Sequence, residues 1–165
     1  MNRWLLVGLV AISLLLIFGV WYKVTFSMDR ASGFEIGTED AEVQILIVYQ
    51  GSPYKTRMIE IITEHYFISD VFLKGIDIEH LDLINPNHWD AVMLIHTWEV
   101  WQPPEEIERF INAHYDPLKM VVHTTSGNGN RKMDSVDALT SASVIDSVYT
   151  DTKRALEKLD SLIHR

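Results

Sequence analysis

The sequence predicts an α/β sandwich built on a parallel sheet and preceded by one membrane-spanning helix. Three observations carry that prediction. First, three short apolar runs rich in Val and Ile each stop abruptly at a polar, helix-opening loop. Residues 45–49 run into Gln50-Gly51-Ser52-Pro53, residues 91–95 into His96-Thr97-Trp98, and residues 120–122 into His123-Thr124-Thr125-Ser126-Gly127. Such runs read as strands buried on both faces, as in a parallel sheet. Second, helical spacings alternate with these runs, which is the pattern of a layered α/β domain. Third, residues 4–22 carry no charge and are almost wholly Leu, Val, Ile, Phe and Gly.

The elements follow in order. At about 1.5 Å per residue, roughly 19 residues just cross a ~30 Å hydrocarbon core. Trp4 at one end, with Trp21 and Tyr22 at the other, fit interfacial anchors. The alternative is a cleaved signal peptide. Against it stand the length of the run, Trp21-Tyr22-Lys23 where a small-residue cleavage site would lie, and the lack of a Cys for lipid attachment. The expected division is an anchor over 1–24, a linker over 25–42 and a folded domain over 43–165. Arg3 on one side, with Lys23 and Arg30 on the other, leaves the positive-inside rule without a clear vote. A single N-terminal span with a domain behind it places that domain outside the cytoplasm.

The first strand is expected at 43–49. Pro53 opens a helix whose Met58, Ile61, Ile62 and His65 recur at helical spacing. A second strand at 71–78 is interrupted by Lys74 and Gly75 and is therefore expected at an edge. Residues 90–96 give the third strand. Pro103-Pro104-Glu105-Glu106 begins the next helix, with acids on the positive end of its dipole, and Ile107, Phe110 and Ile111 face inward. Residues 120–124 give the fourth strand. The fifth is expected at 135–139, paired directly beside the fourth or leaving that edge open. The last helix spans 148–163, with Leu156, Leu159, Leu162 and Ile163 on one face.

Composition narrows the function. No cysteine is present, which excludes disulfides, thiolate zinc sites and Cys nucleophiles. Setting aside residues 1–30, with Arg3, Lys23, Arg30 and Asp29, leaves 11 basic and 22 acidic residues, a net of −11. Such a surface repels nucleic acid and suits a partner with a basic docking face.

Ligands of open parallel sheets bind beyond the carboxyl ends of the strands. Those ends gather the candidate residues here: Ser52 and Thr56 after the first strand, Trp98 and Trp101 after the third, Thr124, Thr125 and Gly127 after the fourth. His96 and His123 sit at corresponding strand ends, where they could relay protons or share a metal, although no carboxylate ligand is near in sequence. Gly51-Ser52-Pro53 lacks the frame of a nucleophile elbow. Gly127-Asn128-Gly129-Asn130 reads first as a turn.

Over about 43–122 the order of parts resembles the flavodoxin family. The stretch 90–95, the aromatic loop and Pro103-Pro104-Glu105 look like the family's third strand, flavin-flanking loop and next helix. The resemblance implies FMN, with Trp98 and Trp101 as candidates to stack on its ring. The first loop departs from the family's hydroxyl-rich phosphate cradle. Ser52 and Thr56 keep hydroxyls, but Tyr54 stands where a Gly would be and Pro53 removes an N–H donor. A second stretch, Asp137-Ala138-Leu139-Thr140-Ser141-Ala142-Ser143, resembles the flavinylation motif of FMN-binding domains. There a transferase joins FMN through its phosphate to the final hydroxyl. Asp137, Thr140, Ala142 and Ser143 match, Ser141 replaces a Gly, and Ser143 would be the acceptor. A flavin tethered by its phosphate needs no cradle. The two resemblances together imply a membrane-anchored FMN protein that passes electrons between partners. The competing expectation is a flavodoxin-fold module without cofactor, acting as a binding or scaffold protein.

Overall fold

The computed structural model describes residues 3–26 and 28–164, and the side chains of 22–26 are not described. Met1, Asn2, Ser27 and Arg165 therefore lie outside the described residues, as do the side chains of the expected anchor Tyr22 and of Lys23. Helix α1 runs Arg3–Phe26 and is followed by β1 (Phe34–Ile36), β2 (Val43–Tyr49), α2 (Pro53–Tyr66) and β3 (Val71–Asp77). Then come β4 (Ala91–Thr97), α3 (Glu105–His114), β5 (Met120–Thr125), β6 (Ala138–Ser141) and α4 (Val148–Ile163). Within α1, Arg3–Trp21 is long and apolar enough to cross a membrane. Its side chains are exposed, so it is not a core helix of the domain.

The sheet has the order β1-β3-β2-β4-β5-β6. All neighbours pair in parallel except β1 with β3. The five parallel strands, counted in chain order, therefore run 2-1-3-4-5, the flavodoxin-like arrangement. Alternation along each strand splits the core into two layers. Ile45, Ile47, Met93 and Val121 pack with Met58 and Ile62 of α2 and with Ala155 and Leu159 of α4. Leu46, Val48, Leu94 and Val122 pack on the other face with Ile107, Phe110 and Ile111 of α3. The domain is thus the expected three-layer sandwich.

Two expectations change. The strand at 71–78 is not an edge. Strand β1, inside the segment read as linker, covers it, and Phe34 pairs with Gly75 while Glu35 pairs with Lys74. The features read as interruptions are the fit of this pair. A Cβ on Gly75 would lie 1.9 Å from the Phe34 ring, and Lys74 donates to Glu35 at 2.7 Å. The fifth strand begins three residues later than expected, at Ala138, and runs parallel to β5. No α-helix forms that crossover; its loop instead sends Met133 and Val136 into the α3-side core, so a loop does the covering a helix would do.

Candidate functional site: a crevice along the carboxyl edge

The carboxyl ends of β2, β4, β5 and β6 open onto three adjoining cavities. The first, about 600 Å³, lies between the segment after α1 and the start of α2, with Asp29, Tyr49, Ser52 and Thr56 in its walls. The second, about 420 Å³, is lined by Met28, Ser52, Tyr54, Thr97, Ser126 and Ser143 among others. The third, also about 420 Å³, lies among Trp98, Trp101, Gly127 and Arg131. Ser52, Pro53 and Ile145 border both the first and second cavities. Ser126 and Gly127 border both the second and third. Each cavity is within the volume range of small-molecule sites, and together they form one trench from Thr56 to Trp101.

At one end, the start of α2 has few donors left for an anion. Pro53 has no N–H. The Lys55 N–H is taken by the Ser52 side chain at 3.2 Å, and the Thr56 N–H by the Ser52 carbonyl at 2.8 Å. Ser143 faces this end across the second cavity. It is exposed, and its φ of 55° puts it in the left-handed region that a non-glycine residue seldom occupies. Such strain costs of order 1–3 kcal/mol and concentrates at functional positions.

At the other end stands the tryptophan loop. Gln50 fixes it to the sheet. Its side-chain oxygen accepts the Thr97 N–H at 2.7 Å, and its amide donates to Glu99 at 2.7 Å. Glu99 and Gln102 exchange backbone hydrogen bonds of 2.8 and 2.9 Å around Val100 and Trp101. Both central residues have positive φ, 43° and 71°. That is a two-residue turn of the kind that ordinarily requires Asn or Gly. The strained turn holds Trp101 81% exposed, with the Arg131 guanidinium 5.5 Å from its ring centre. Trp98 is half-buried, and its indole N–H is buried with no partner among the described residues. An indole N–H can only donate, so this position needs an acceptor that the described residues do not supply.

The floor of the trench is polar. Lys55 is wholly buried, and its ammonium donates to Thr97 Oγ1 at 2.6 Å and to the Met28 thioether at 3.5 Å. Thr97 Oγ1 lies 2.9 Å from Thr125 Oγ1. Burial pushes the ammonium down to about 8, and the Glu99 charge offsets this only in part. Beside it, Tyr54 donates to Asp151 at 2.8 Å and lies 3.0 Å from Ser141 Oγ, which is 2.9 Å from His123 Nε2. Burial raises the Tyr54 phenol well above its ordinary range, and its bond to Asp151 adds to this. His96 bonds Thr124 Oγ1 at 3.0 Å.

The two histidines do not meet. Ile95, not His96, is the register partner of His123. Strand alternation then sends His96 to the α3 face and His123 to the α2 and α4 face. No group of three metal-ligating side chains occurs among the described residues. Of the other candidates, Ser52, Thr56, Trp98, Trp101, Gly127 and Ser143 border the trench. Thr125 lies under it, and Thr124 turns to the opposite face with His96. Thr140 is the register partner of Thr124 and lines none of the three cavities. Asp137 precedes β6 and so lies toward the amino edge, away from the trench. There Lys158 donates to it at 2.7 Å and holds its carboxyl below the usual range.

Lys55, Tyr54, Asp151 and Met28 were not among the candidates. Lys55 carried a readable signal, because 55, 58, 59, 62 and 66 share the buried stripe of α2. Met28 belongs to a segment that crosses the trench. Asp29 accepts the Gly51 N–H at 2.7 Å, and Ala31 donates to Asp77 at 2.6 Å. Gly51 permits this approach, since a Cβ there would lie 2.6 Å from the Arg30 carbonyl oxygen. Gly51→Ala is expected to cost about 1–3 kcal/mol and to speed hydrogen exchange at Gly51 and Ala31. Unchanged exchange at both amides would show that the segment does not depend on this contact.

No protein-family model matches the chain, and no curated protein matches it. Among solved structures it is similar to oxidised flavodoxin 2 from Bacillus cereus, at 17% identity and a TM-score of 0.48, over 72% of this chain and 99% of that one.

Proposed function

We propose that the protein is a membrane-anchored electron carrier whose FMN is joined through its phosphate to Ser143 and extends along the trench toward Trp98. The observation that carries this reading is the continuity of the trench: Ser143, Ser52, Gly127, Trp98 and Trp101 line adjoining cavities of one sheet edge. The residues present fit the group. The orphaned Trp98 N–H offers a donor to a ring carbonyl. Trp98 and Trp101 offer faces for stacking. The depleted start of α2 gives a phosphate little hold of its own, and a covalent bond makes such a hold unnecessary. When bound, the flavin supplies the redox chemistry; the chain binds it, orients it and screens it from water. Attachment requires a flavin dinucleotide and a transferase. The Ser143 Oγ–P bond forms as the pyrophosphate bond breaks, AMP leaves, and the hydroxyl proton passes to solvent.

The anchor bears on the partner. Two residues, Ser27 and Met28, separate Phe26, the last of α1, from Asp29 at the trench. The three backbone steps from 26 to 29, at about 3.6 Å each, reach at most ~11 Å. With α1 in a bilayer, the flavin site lies close to the membrane surface, outside the cytoplasm, where it would exchange electrons with a partner presenting a basic face.

The specific observation favouring a cofactor-less binding module is that same loss of donors at α2. The absorbance of protein purified from its native membranes separates the two readings. Flavin bands that persist with the protein after denaturation support covalent FMN, and a spectrum without them leaves the binding module. A companion expectation concerns Ser143 itself. Ser143→Gly relieves the left-handed strain and should raise stability by about 1 kcal/mol while abolishing bound flavin. A fall in stability, measured by urea unfolding, would show that the Ser143 side chain holds its own loop.

A further inference from the structure

Lys55 is a buried cation with no ion-pair partner among the described residues, and the Glu99 charge offsets its burial only in part. Its side chain is fully enclosed, and among the described residues it donates to the Thr97 hydroxyl and the Met28 thioether and to no carboxylate. A thioether is among the weakest acceptors a protein offers. An uncompensated buried charge is costly, and buried charges are ordinarily paired or bound to a ligand. The remaining buried cation-side chemistry is hydroxyl: Thr97 and, behind it, Thr125. Met28 and Thr97 are also lining residues of the second cavity, together with Ser126 and Ser143. The Met28 side chain is thus the cover between the ammonium and open space, and it sits on the segment that crosses the trench from α1.

We propose that Lys55 and Thr97 form an anion-binding site, covered by Met28, that takes a phosphate-type oxyanion when the thioether swings aside. A compact ammonium suits a tetrahedral oxyanion as a point charge, and the Thr97 hydroxyl, which donates to the Met28 thioether at 3.4 Å, becomes a second donor once the thioether leaves. The acidic character of the domain makes this enclosed cation, the one buried Lys or Arg among the described residues, the place where an anion gains most. The depressed titration of Lys55 agrees with a site that lacks its counter-charge. The site deepens the function proposed above, because the phosphate bound there is either the ester at Ser143 or free phosphate. It does not depend on flavin for its existence.

The test uses the full-length chain in detergent, made in a host without flavin transferase. Inorganic phosphate is the probe, titrated by calorimetry against chloride at equal ionic strength. The wild type is expected to bind phosphate saturably. Lys55→Gln is expected to raise the Kd at least roughly tenfold, or about 1.4 kcal/mol, and Met28→Ala to lower it. Lys55→Met, which keeps the packing, guards against a folding defect and should behave like Lys55→Gln. Equal Kd values in the wild type and in either folded Lys55 variant would overturn the site. So would a wild type that shows no saturable binding. FMN and riboflavin as competitors separate the two sources. Competition by FMN but not riboflavin supports the ester as occupant. Phosphate binding that FMN does not disturb supports a free-phosphate site, and removes the phosphate anchor from the flavin reading without removing the site.

Discussion

Lowering the pH from 7 to 5 is expected to cost the folded domain about 4 kcal/mol, a large share of a typical 5–15 kcal/mol stability. His96 and His123 are the cause. Burial pushes His96 down to about 3 and His123 down to about 4. Around them, Lys55 disfavours charging of both, Arg154 disfavours it for His123, and Asp151 favours it there without reversing the shift. The sign follows from proton binding. Below about 6.5 the unfolded chain takes up protons that the folded chain refuses, so stability falls as pH falls toward the folded values. At pH 5 each histidine contributes roughly 2 kcal/mol of the loss. Urea unfolding at pH 7, 6 and 5 measures it, with His96→Gln plus His123→Gln as the flattened control. Equal midpoints at pH 7 and 5 in the wild type would contradict the buried, neutral histidines.

The second large effect is alkaline. Lys55→Met is expected to stabilise the domain at pH 7 by about 3 kcal/mol, because it removes a charge that burial penalises. For the wild type the folded pKa lies below the unfolded value near 10.5. The penalty is therefore full below about pH 8 and fades as pH rises toward 10.5, so stability should climb over that window. The variant should lack the climb. Tyr54 and Tyr66 limit the upper end, since burial raises both phenols and their titration in the unfolded chain opposes folding above pH 10. The comparison belongs between pH 8 and 10. A wild type that loses stability across that interval, in parallel with Lys55→Met, would mean that Lys55 is paired or solvated after all.

Much of the fold was legible because its strands are apolar on both faces. β2 and α4 emerge with the boundaries read from the sequence, and the strand order follows. What escaped has physical reasons. Strand β1 is three residues long inside a polar segment, and only the fit of Phe34 over Gly75 gives it away. The register of β4 against β5 is a property of the folded sheet, so the opposition of His96 and His123 could not be read from spacing. Lys55 was hidden by the habit of placing charges in solvent, even though it falls on the apolar stripe of α2. Ser52, Thr56, Gly127, Ser143 and the two tryptophans, all named from the sequence, border the trench. Its floor, made by Tyr54, Lys55, Asp151 and the crossing segment with Met28, was not legible, because side chains distant in sequence converge there. The left-handed turn at Val100 and Trp101 was equally hidden, since neither residue type announces it.

The central claim is the flavin at Ser143, and one measurement reaches it most directly. The chain is produced together with a flavin transferase, denatured and digested with trypsin, and the peptide spanning residues 133–153 is weighed and fragmented. The expected result is a peptide heavier by FMN less one water, with the added mass on Ser143 and absent from Ser143→Ala. An unmodified peptide, in protein that nevertheless carries or lacks flavin, would contradict covalent attachment. Flavin released on denaturation would then point to Ser52, Thr56 and Lys55 as phosphate contacts, and no flavin at all would leave the trench to another ligand.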